Sequence, residues 1–158
     1  MAIYIKIGDI KGNVSAKGHE DWIECTQLQF GVGRAIPMFV GSQSNREASH
    51  PSLSEFSFSK GMDDSSPYLF QESVTGESQK IEIHVTKTGS NQLESIVEYT
   101  LDSALISSYS LSSGGDQPSE SLSVSFTKVE MKYIVWNEGH TQASQIPVSY
   151  DLATATTG

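Results

Sequence analysis

Cysteine is almost missing from this chain. Cys25 stands alone, so no internal disulfide can form. It sits in an alternating apolar stretch and reads as a small buried residue, with no local motif for a nucleophile. Basic residues are also scarce, 10 Lys and Arg against 19 Asp and Glu, for a formal net charge of −9. That excess disfavours nucleic acid as a partner and helps solubility. No apolar run approaches the roughly 18 to 20 residues of a membrane-spanning helix, so membrane insertion is not expected. The start, Met1 to Asp9, alternates apolar and polar residues. It lacks the basic and apolar regions of a secretory signal peptide, so synthesis in the cytoplasm is expected.

Catalytic signatures are missing too. Gly31-Val32-Gly33 begins like a dinucleotide loop, but Ile36 replaces the third glycine and no helix pattern follows. There is no phosphate-binding loop, no nucleophile elbow and no zinc spacing. His19, His50, His84 and His140 are scattered, and only His84 shares a strand face with an acid, Glu82. Two solvated side chains explain that pair better than a metal does. Asp63-Asp64 precedes a helix pattern, where acids favour the dipole. No enzyme, metal or cofactor is expected.

What remains is strand pattern. The 158 residues, 37% hydrophobic, suit one domain with a real core. Ile3, Ile5 and Ile7 alternate with polar residues. Ile23 and Cys25 share one parity and Leu28 and Phe30 the other, so a bulge or bend near Thr26-Gln27 is expected. Gln27 and Gln29 then face away from the core. Phe56 and Phe58 mark a strand, as do Ile81, Ile83 and Val85. Val97, Tyr99 and Leu101 lead through a bend near Ser103-Ala104 into Ile106 to Leu111. Leu122, Val124 and Phe126 switch parity to Val129, Met131, Tyr133 and Val135, which predicts a second bulge near Thr127-Lys128. Ile146, Val148, Tyr150 and Leu152 close the series. One helix is expected at about Pro67 to Thr75, with Ser66 as N-cap and Gly76 as C-terminal cap. Leu69, Phe70 and Val74 form its apolar face. The expected class is mainly β: an antiparallel barrel of two sheets, seven to nine strands, and one short flanking helix.

One stretch fits neither period. Phe30 to Glu55, with a loop at about 32–54, is long for a connection inside a single domain spanning 1–158. Its cluster Ile36-Pro37-Met38-Phe39-Val40 is too apolar for a free disordered segment. It reads as an arm that packs on something, with a second subunit as the first candidate.

The same stretch carries a resemblance. Gly31-Val32-Gly33-Arg34-Ala35-Ile36, Asn45-Arg46-Glu47-Ala48-Ser49 and Pro51-Ser52-Leu53-Ser54-Glu55 resemble the haemolysin-coregulated protein family. These are tube proteins of bacterial type VI secretion. Ile5 to Gly12, Asp64 to Phe70, Tyr99 to Ser110, and Glu120 to Val129 with Tyr133 extend the likeness over most of the chain. The resemblance implies a hexameric ring, stacked into a tube and driven out of the cell by a contractile sheath. It implies a spike protein at the tip and small effectors in the channel. On that reading Arg34, Ile36, Met38, Phe39, Arg46 and Glu47 are candidates for subunit or ring contacts, and Gln27 and Gln29 for the channel wall. A tail tube of another phage-like injection machine, and a β-sandwich that stacks sugars on Trp22, Trp136 or the tyrosines, are the alternatives.

Overall fold

A computed structural model describes residues 1–38, 40–41 and 50–158. The described residues form twelve strands and one helix. In chain order the strands are β1 (Ala2–Ile7), β2 (Ile23–Cys25), β3 (Gln27–Gln29), β4 (Val32–Gly33), β5 (Ser52–Leu53) and β6 (Phe56–Gly61). The helix α1 (Ser66–Thr75) follows, then β7 (Gln79–Thr88), β8 (Leu93–Ser112), β9 (Ser119–Ser125), β10 (Lys128–Trp136), β11 (Gln142–Asp151) and β12 (Thr156–Thr157).

Two antiparallel sheets result, and β8 belongs to both. Its first half lies between β7 and β10 in a sheet ordered β12-β11-β10-β8-β7-β1-β2. Its second half pairs with β9, which pairs with β6, which pairs with β3. The expected bend is there: Ser103 takes φ 50°, in the left-handed region that side chains rarely adopt. The expected slip at Thr26 is there as well. Thr26 separates β2 from β3, and its N–H donates to Ser59 O at 2.8 Å. So Ile23–Cys25 pairs with β1 in the first sheet, while Gln27–Gln29 pairs with β6 in the second.

The parity switch near Thr127 is larger than a bulge. Phe126 and Thr127 lie between strands, and they carry the chain from β9 in one sheet to β10 in the other. Both strands flank the same side of β8, opposite β7. The long hairpin bends once on each arm, at Ser103 and at Phe126-Thr127.

Between the sheets, Ile5, Ile7, Ile23, Phe56, Ile81, Ile83, Leu101 and Val124 are fully buried. Phe30 stacks on Phe56 at 4.1 Å between ring centres. Not every residue of inward parity is covered. β10 and β11 run on as a wing beyond the second sheet. There Met131, Tyr133, Ile146 and Val148, all expected in the core, are exposed, Val148 by 61%. The helix departs from expectation in the same way. Leu69 is buried, but Phe70 and Val74 face outward, Val74 by 71%.

The helix ends differ in how they are fixed. Gly76 is the left-handed cap, with φ 69° and its N–H donated to Glu72 O at 3.0 Å. At the other end the N-cap is Ser65, not Ser66, and no side-chain cap bond forms. The serines are drawn instead into a buried polar cluster. Lys60 Nζ donates to Asp63 Oδ1 at 3.0 Å, to Gly61 O at 2.8 Å and to Glu120 Oε1 at 3.4 Å. Ser66 Oγ donates to Glu120 and Ser65 Oγ to Asp63. Lys60 and Glu120 are direct cross-strand partners, and both side chains are wholly buried.

Candidate functional site

The outer face of the second sheet is made of small neutral side chains. Parity puts Phe56, Phe58, Lys60, Glu120, Leu122 and Val124 inward, so Ser57, Ser59, Ser121 and Ser123 must turn outward. Register aligns two rows across the four strands. One row is Gln29, Ser57, Ser123 and Ser108; the other is Gln27, Ser59, Ser121 and Ser110. Ser57 and Ser123 hydroxyls meet at 3.1 Å, and Ser59 and Ser121 at 3.4 Å. The eight side chains form the floor of a shallow concavity of about 250 Å³. Neither row contains a charged residue, in a chain that is 18% charged. Gln27 and Gln29 therefore sit where sequence parity put them, and they belong to a larger hydroxyl surface that single residues did not reveal. The alternation of serine with large apolar residues in β6 and β9 was the available signal.

This sheet has two strands with an unpaired side among the described residues. One is β3; the other is the second half of β8, Leu105 to Ser112. The arm leaves from just beyond β3. Its base is tied by β4 and β5, where Val32 pairs with Leu53 and Gly33 with Ser52, a ladder that the sequence did not suggest. Ser54 reinforces it, since its Oγ accepts from Gly31 N at 2.8 Å. Beyond this clasp Arg34, Ile36 and Met38 are exposed, and Val40 is fully so. Phe39, Arg46 and Glu47 lie outside the described residues.

The outer face of the first sheet carries a strap, the segment from Lys11 to Trp22. His19 Nε2 meets His84 Nδ1 at 3.0 Å, and Trp22 packs against the His84 ring at 4.6 Å. Tyr4 lies beside His19 at 4.9 Å. Burial holds both imidazoles below their ordinary pKa; Glu98, for each, works the other way. Glu82 shares this face, but the partner of His84 is His19, 65 positions distant in sequence. Cys25 is buried, and burial pushes its thiol well above the ordinary range. Among the described residues no group of three or more His, Cys, Asp or Glu is placed to hold a metal ion.

Residues 4–133 match the family model described as "Type VI secretion system effector, Hcp". The chain belongs to the Hcp family. It is 30% identical over 135 residues to Protein hcp1 of Pseudomonas aeruginosa, covering 83% of this chain and 82% of that one. A solved structure described as a type six secretion system protein superposes with TM-score 0.90 at 22% identity, over 99% of both chains. Hcp1 of Salmonella typhimurium superposes with TM-score 0.80 at 22% identity, over 99% of this chain and 98% of that one. Hcp membership makes the chain a tube subunit of type VI secretion, from a structural family that this system secretes.

Proposed function

We propose that six copies form a ring whose channel is lined by the serine and glutamine face of the second sheet. The observation that carries this is the pair of charge-free rows built on Gln27 and Gln29. Within these two rows a passing chain meets hydrated hydroxyls and amides with no fixed charge. The carboxylate of Glu55, which accepts from Ser107 Oγ at 2.6 Å, lies just beyond the Ser57 row on the same parity. Closure of the two sheets into one barrel belongs to the same reading. Going round β7, β1, β2, then through Thr26 into β3, β6, β9 and β8, each neighbour is paired or continuous. A barrel of this kind leaves the strand sides of β3 and of Leu105 to Ser112 as the places for lateral pairing between copies. Repetition of one head-to-tail contact under cyclic symmetry closes the ring.

The arm, with Arg34, Ile36 and Met38 on its described part, is the contact to a neighbouring copy or the next ring. Spike protein, sheath and small effectors are the remaining partners, and export runs through the type VI apparatus. A sugar-binding sandwich finds less support. Trp22 is packed against His84 and His19, so its ring is not an open platform, and Trp136 is half-buried with its Nε1 donated to Ser95 O at 2.7 Å. Light scattering on the purified protein tests the ring. A mass of six chains is expected, and a monomer at high concentration would refute it.

A further inference from the structure

The wing and the helix are both uncovered, and they lie on opposite sides of the molecule. On the wing, Met131 faces Val148 and Tyr133 faces Ile146 across the β10–β11 ladder. The same rows continue through Tyr99 and Val97 of β8 to Ile83 and Val85 of β7. The wing surface is thus an extension of the core layer with nothing over its end. From Gln142 to Val148 the chain has no charged residue. On α1 the outward residues Tyr68, Phe70 and Val74 form the second surface, and Glu72 is the only charge of the helix. Surfaces depleted of charge and rich in aromatics are what buried interface centres look like.

Topology fixes the sides. β9 and β10 flank β8 on one side, so the wing projects on the side of β6 and β3. β7 flanks β8 on the other side, and its ladder ends where Gln79 meets Ala104. The helix precedes β7 and continues along that side against the second half of β8, with Phe70 touching Tyr109 at 5.9 Å between rings. In a head-to-tail ring, the β3 side of one copy meets the Leu105 to Ser112 side of the next. That step carries the wing of the first copy over the helix of the second.

We infer that the wing of each subunit, through Met131, Tyr133, Ile146 and Val148, covers the outward face of α1 in its ring neighbour, through Tyr68, Phe70 and Val74. This rests on the ring reading and adds which surface meets which. It also accounts for two of the places where inward parity or a helical apolar face goes uncovered in the single chain.

The test is disulfide formation between Val74→Cys and Val148→Cys, both exposed in the single chain. Within a head-to-tail ring each single variant puts one thiol at every interface, so oxidation should leave it monomeric on denaturing gels. The double variant puts a pair at every interface, so oxidation should give a ladder of covalent dimers up to hexamers. The pair Phe70→Cys with Met131→Cys, treated with a short bis-maleimide, repeats the test at relaxed distance. Rings of six by light scattering without a ladder from either pair would overturn the pairing and leave the ring intact. A ladder from Val148→Cys with Met38→Cys in its place would assign the wing to the arm and overturn the inference. Absence of rings in the unsubstituted protein would remove the ring reading itself.

Discussion

Replacing Lys60 by methionine isolates the most concentrated energetic feature of the fold. Lys60 Nζ is wholly buried and serves Asp63, Glu120, Ser66 and the Gly61 carbonyl together. Methionine keeps most of the volume and removes the charge. Glu120, also wholly buried, then has Ser66 but no cation. Breaking one side of a buried ion pair costs about 3–5 kcal/mol. For a chain of this size each kcal/mol moves the midpoint by about 2–4 °C, so a fall of roughly 6–20 °C is expected. Thermal unfolding followed by Trp22 and Trp136 fluorescence reads it, at one fixed protein concentration, because assembly also stabilises, and urea unfolding reads the free energy itself. Lys60→Met with Glu120→Leu removes both charges and should recover most of the loss, as apolar replacements of buried pairs do. A single variant within about 1 kcal/mol of the unsubstituted protein would refute the reasoning. So would a double variant as unstable as the single one.

Acid should loosen the strap. His19 and His84 both titrate below the ordinary value of 6.5, because burial disfavours their charge. The unfolded chain therefore binds protons first. The neutral pair contributes fully above pH 6.5, and its contribution falls away as pH drops through the depressed folded values. Tyr4, Glu20, Glu82, Glu98 and Lys132 also face the pair, so the comparison is with His19→Phe, whose urea midpoint should vary less between about pH 7.5 and about pH 5.5. Equal slopes would exclude the pair as the source. Gly76→Ala places a side chain at φ 69° and should cost about 1–2 kcal/mol in the same unfolding assay. Gln29→Arg puts charge on the hydroxyl face without touching the core; it should leave ring mass unchanged and alter retention of co-purifying small proteins.

Much of the fold was legible because parity is a strict code in half-buried strands. The slip at Thr26, the bend at Ser103 and the cap at Gly76 each follow from a local rule that packing did not override. The misplacements have one cause. Met131, Tyr133, Ile146 and Val148 obey the inward pattern, as Phe70 and Val74 obey a helical one, but apolar pattern marks a face without saying whether the single chain covers it. The buried Lys60 and Glu120 were available in principle, since both take the inward parity beside Phe58 and Leu122. Reading them needed the register between β6 and β9, which pattern alone does not supply. The His19–His84 contact joins a strap to a strand across a long separation and leaves no periodic trace. Of the candidate contacts, Gln27 and Gln29 were legible from parity as outward-facing; the absence of a period marked the arm, while the contacts assigned to Arg34, Ile36 and Met38 came from the resemblance.

Negative-stain electron microscopy of the purified protein tests the central claim most directly. The account predicts six-fold rings with an open centre, and stacks of them at high concentration. Uniform small particles without a central opening, at concentrations where light scattering is strong, would contradict it.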